Sequence, residues 1–175
     1  MITLKKTALT EDEKDSIGLL TSLLVRYPEL CSINYYPYEN SLKMGFILQG
    51  NIPESALKEY SEELSLCIRT YLYFEKRDCL QHLEINFEHE PNLTRLLITR
   101  DTKSLMPKEI SLMINLLKAK FTNLLICDEC SVFVEEDLLL QDDYIKCMLD
   151  TLQARKLNNE LIALREDGRV LVFKQ

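Results

Sequence analysis

The residues whose types and spacing could do chemistry are a cysteine pair, two histidines, a block of carboxylates and a late set of basic side chains. Cys127-Asp-Glu-Cys130 sets two thiols three positions apart, a separation at which thiolates chelate zinc. A structural zinc site needs four ligands, and the natural second pair is Cys79-Leu-Gln-His82. Zinc is thus the one cofactor the sequence offers, with Cys127, Cys130, Cys79 and His82 as candidate ligands. Two features oppose it: Cys79 and His82 fall near a strand start, where alternation turns them to opposite faces, and no glycine or lysine knuckle surrounds Cys127 and Cys130. The expectation is a pair of inert thiols and no bound cofactor.

His82 and His89 are the two histidines, a residue type that suits general-base work. Neither sits in a nucleophile context such as Gly-x-Ser-x-Gly, so both read as surface residues. Gly18, Gly45, Gly50 and Gly168 form no phosphate-cradling or dinucleotide loop, which disfavours the common nucleotide-dependent enzymes.

Residues 128–150 hold eight acidic side chains and one basic one, Lys146. The spacing of Glu135, Glu136, Asp137, Asp142 and Asp143 does not match a calcium loop, which needs alternating oxygens and a central glycine. These carboxylates read as a solvated acidic face suited to a basic protein partner. A second candidate surface has the opposite sign. Arg155 and Lys156 end a helix, and Arg165, Arg169 and Lys174 lie on the glycine-tipped hairpin after it, the order of a recognition helix and wing in a winged-helix nucleic-acid binder. The acidic start of that helix and the net charge of −7 argue against it.

The elements that must position these groups are written in local signals. Thr10-Glu-Asp-Glu13 has the form of a capping box, and Ile17, Leu20, Leu23 and Leu24 continue at helical spacing. Cys31, Ile33 and Tyr35, then Leu42, Met44, Phe46 and Leu48, alternate around Pro37–Ser41 as a hairpin. A helix from Pro53 to about Lys76 and a second hairpin, Leu83–Phe87 and Leu93–Arg100, repeat that unit. Pro107 opens a helix through Phe121, and Glu135 to about Lys156 is helical with Leu138, Ile145, Leu149 and Leu152 as its stripe. Asp167-Gly168 then closes a hairpin in which Glu166 faces Arg169, Leu164 faces Leu171 and Ile162 faces Phe173.

The fold class expected is α+β: two helix–hairpin units forming an antiparallel sheet with helices on one face, then a mostly helical part ending in a hairpin. A seam near 101–106 would separate parts 1–103 and 104–175, packed together as one compact unit. At 175 residues and 46% hydrophobic the chain is large enough to bury a core without disulfides or metal. Its six scattered cysteines suit a reducing compartment. No apolar run follows the lysines near Met1, and none approaches the roughly 20 residues of a membrane span, so a cytoplasmic location is expected. The sequence therefore points to a non-catalytic regulatory or interaction module whose partner is another protein or a second copy. Nucleic acid and zinc are the alternatives.

Overall fold

The structure, a computed structural model, describes residues 10–77, 80–128, 135–154 and 159–175. Helix α1 (Glu11–Arg26) starts where the capping box places it. The Glu13 amide donates to Thr10 Oγ1 at 3.3 Å and the Thr10 amide donates to the Glu13 carboxylate at 3.0 Å. Strands β1 (Ser32–Tyr36) and β2 (Ser41–Gln49) form the first hairpin. Helix α2 (Glu54–Phe74) leads into β3 (Leu83–Glu90) and β4 (Leu93–Asp101), joined through Asn92 in the left-handed region. Helix α3 (Pro107–Phe121), with proline in its first turn, and α4 (Glu135–Ala154) precede β5 (Leu161–Glu166) and β6 (Arg169–Lys174). Asp167 and Gly168 both have positive φ, 48° and 71°, the backbone a two-residue hairpin turn with right-handed twist requires. The architecture is the α+β class expected, with a closing hairpin. Among the described residues no helix is long and apolar enough to cross a membrane.

The six strands form one antiparallel sheet in the order β3-β4-β2-β1-β5-β6. The closing hairpin joins it because β5 pairs with β1, Ile33 opposite Ala163 and Tyr35 opposite Leu161, which carries the sheet past the seam at 101–106. Leu42, Met44, Phe46 and Leu48 of β2, with Leu96 and Ile98 of β4, face the core that the helices complete. Leu19, Leu23, Leu64, Ile110 and Leu149 bring all four helices into that core.

The closing hairpin has the register the sequence gives, Glu166 opposite Arg169 and Ile162 opposite Phe173. Its apolar face, however, points away from the helices. The core takes the other face, Leu161 and Ala163 with Val170 and Val172 packed against them. Both faces are apolar because β5 and β6 are nearly continuous apolar runs, so alternation alone does not decide which one is buried. The outer surface of the sheet consequently carries Ile47, Leu97, Ile162, Leu164, Leu171 and Phe173, half-buried or exposed.

One end of the sheet is organised by a buried charge. Arg100 occupies a core-facing position of β4, two residues beyond Ile98, and is completely inaccessible. Its five N–H groups all find acceptors. Nε donates to Glu109 Oε1 at 2.5 Å, and Nη2 donates to Glu109 Oε2 at 3.1 Å and Ser104 Oγ at 3.0 Å. Nη1 donates to the His82 carbonyl at 2.8 Å and to the Asp101 carboxylate. Asp101 in turn accepts from the amide and hydroxyl of Ser104 and from the His82 amide at 3.1 Å.

Burial raises the Asp101 carboxyl, but the Ser104 hydrogen bond and the Arg100 charge outweigh it and leave the group below its ordinary value. Glu109 goes the other way: burial lifts it above the ordinary value, although Arg100 pulls against that.

Removing one partner strands a buried charge. Glu109→Ala is expected to cost about 3–5 kcal/mol in urea unfolding, and more than the double variant Arg100→Met/Glu109→Leu. Asp101, depressed when folded, contributes stability above its unfolded value near 4, and that contribution is lost as pH falls. The stability gap between wild type and Asp101→Asn should therefore shrink on acidification from neutral pH, as read by unfolding at a series of pH values. Glu109's raised value has the opposite sign, contributing below the ordinary glutamate range and losing that as pH rises; the Asp101 charge is a lesser cause of that rise, so the opposing contribution is smaller in Asp101→Asn.

Candidate interaction surface

Helix α4 is held to the body by one face. Ile145, Leu149 and Leu152 are buried and Leu138 is half-buried, the stripe the sequence predicts. Asp142 lies on the same side and accepts two hydrogen bonds from Arg26 at the end of α1, at 2.9 and 3.3 Å. This two-point contact fixes the helix as a planar guanidinium–carboxylate pair does. Asp142 is thus a fastening residue between two helices, apart from the other carboxylates of the block. Gly18 of α1 leaves room for Tyr144, whose hydroxyl would lie 2.8 Å from a methyl group placed there.

Among the described residues nothing covers the opposite face of α4. Glu136, Asp137 and Asp143 are exposed, and the side chain of Glu135, which opens the helix, lies outside the description. Between them stand Leu139 and Leu140, 63% and 68% exposed. Each leucine has carboxylates three or four positions away, so on the helix surface the acids are its immediate neighbours. Sequence reading picks out the acids but not the two leucines, since Leu138-Leu139-Leu140 is a run in which only Leu138 belongs to the buried stripe. The arrangement offers apolar contact area with a negative rim, which suits a protein surface of apolar and basic character.

The other candidate groups are placed as follows. Cys127 is exposed, with its thiol directed to the Asp128 carbonyl at 3.3 Å. It follows residues 124–126, which run beside the end of β2, whereas His82 lies at the start of β3 with β4 and β2 between them. Cys79 and Cys130 lie outside the described residues. Among the described residues no three His, Cys, Asp or Glu side chains are grouped to hold a metal ion. His82 is half exposed, 3.6 Å from Glu84, and its backbone serves the Arg100 network.

The basic set is dispersed. Arg165 turns to the helical side of the sheet, 13% exposed, toward the Leu30 carbonyl and Asp128. Arg169 points to the other side opposite Glu166, and Lys174 is paired with Glu13 at 2.5 Å. Arg155 and Lys156 lie outside the described residues. A hollow of about 550 Å³ where α1, α3 and the closing hairpin meet is lined by Arg26, Lys118 and Arg165. Each of these cations sits on an acidic neighbour, Asp142, Glu29 and Asp128 respectively, so the hollow is lined by paired charges.

Comparison with protein-family models, with curated proteins and with solved structures returned no match.

If Leu139 and Leu140 serve a partner rather than the core, replacing both by serine should leave stability within about 0.5 kcal/mol of wild type per site. Ile145→Ala on the buried side should cost about 2–5 kcal/mol. Thermal and urea unfolding of the two variants read the difference directly.

Proposed function

We propose that this chain is a non-catalytic cytoplasmic protein-interaction module that binds through the open face of α4. The observation that carries this reading is the exposure of Leu139 and Leu140 inside the ring formed by Glu136, Asp137 and Asp143. Two adjacent leucines on the outside of a helix contribute little to folding, yet supply the apolar centre around which interface energy concentrates. The surrounding carboxylates favour a partner bearing lysine or arginine beside an apolar groove, and they speed encounter with it at low salt. The net charge of −7 acts in the same direction.

The test is affinity capture from an extract of the native cell, with wild type compared against Leu139→Ser/Leu140→Ser and with retention followed as salt is raised. A protein retained by wild type, lost with the double variant and weakened by salt is the expected result. An identical retained set for both proteins overturns the reading.

A further inference from the structure

We propose that a second copy of this chain pairs with the free edge of β6, strand against antiparallel strand across a two-fold axis, joining two sheets into one. The sheet ends in two edge strands, β3 and β6, and their charges differ in kind. On β3 the outward row is Glu84, Asn86, Glu88 and Glu90, with Arg95 of β4 bonded to the last two glutamates. Charged side chains along an edge are how folded sheets avoid further pairing. β6 has no such row. Val170-Leu171-Val172-Phe173 lies between single basic residues, Arg169 and Lys174, and Lys174 is drawn onto Glu13. The segment is β-branched and aromatic, without proline, and Phe173 is 49% exposed. Among the described residues no strand pairs with its outer side.

The distribution of charge selects a second copy as the occupant. A two-fold axis perpendicular to the sheet keeps both helix layers on one side and admits registers in which like faces meet. For β3 the two fullest of these place Glu84 opposite Glu88 or Glu90 of the other copy, and like charges directly opposite are destabilising. For β6 the two fullest place Leu171 opposite itself with Arg169 opposite Phe173, or Leu171 opposite Phe173 with Val170 opposite Lys174. Neither brings like charges together, and both extend the apolar outer surface of Ile162 and Leu164 across the junction. β6 is self-compatible where β3 is self-repelling.

Light scattering coupled to size exclusion, run on the full chain over a range of concentrations, should show a monomer–dimer equilibrium. Leu171→Lys/Phe173→Lys sets like charges opposite each other in both β6 registers and should weaken the dimer about tenfold or more. Leu164→Lys, one strand inward on the same face, should leave it unchanged. Should the double variant fail to fold, hydrogen exchange of wild type carries the test, because amide protection in residues 170–174 should rise with protein concentration. A monomer at every concentration overturns the proposal. Equal loss of the dimer in Leu164→Lys overturns it in favour of stacked sheet faces, and long polymers overturn it in favour of β3 pairing with β6 of a neighbour.

Discussion

The arrangement at one end of the molecule depends on a guanidinium with no water to turn to. Arg100 is fully buried, and such a charge is tolerated only when every donor is met. Its acceptors come from four places: the residue entering β3, the residue ending β4, the turn at Ser104 and the first turn of α3. Shifting the β3–β4 register by one residue would turn core side chains to the outer face and separate Arg100 from the His82 carbonyl. A hydrophobic core tolerates approximate packing, whereas this network has one satisfied geometry. It therefore ties the direction of α3 to the register of two strands.

Around that fixed corner the sheet is covered on one side only. Helices meet the side of Met44, Phe46 and Ile98, while the other side keeps Ile47, Leu97 and Leu164 without a second layer among the described residues. One-sided antiparallel sheets commonly balance this with polar residues on the open side, as β3 does with its glutamates. The β5–β6 end does not. Together with the leucines of α4, this leaves apolar side chains exposed among the described residues, and both proposed contacts rest on them.

What the sequence discloses follows from how local each signal is. Thr10 with Glu13, Pro107 and Asp167-Gly168 act within a few residues, and each stands where pattern and turn chemistry put it. The α4 stripe is legible because Ile145, Leu149 and Leu152 recur at helical spacing. Asp142 is not distinguishable from Asp143 in the sequence, since the difference is made by Arg26, far away in the chain. Arg100 and Glu109 leave only a parity signal. Arg100 continues the row Leu96, Ile98, and Glu109 sits one turn before Met113, so each is a charge at a position whose neighbours are core. The place of the last hairpin has no local trace at all, because the first two hairpins leave two open edges, β1 and β3, and the choice of β1 is made by contacts far away in the chain.

That pairing has a kinetic side. Three of the five strand contacts are hairpins that close within a few residues, and β2 with β4 joins two neighbouring hairpins. Only β1 with β5 brings together segments far apart in the sequence. Non-local closure is slow because the loop entropy is lost before the contacts form. During synthesis β5 emerges long after β1, so Ile33 and Tyr35 wait on an unpaired strand while the segments between the two strands can already assemble. The nascent chain passes through a stage with β1 as a bare edge, and the interval before the β5–β6 hairpin docks is when misassociation competes most strongly with folding.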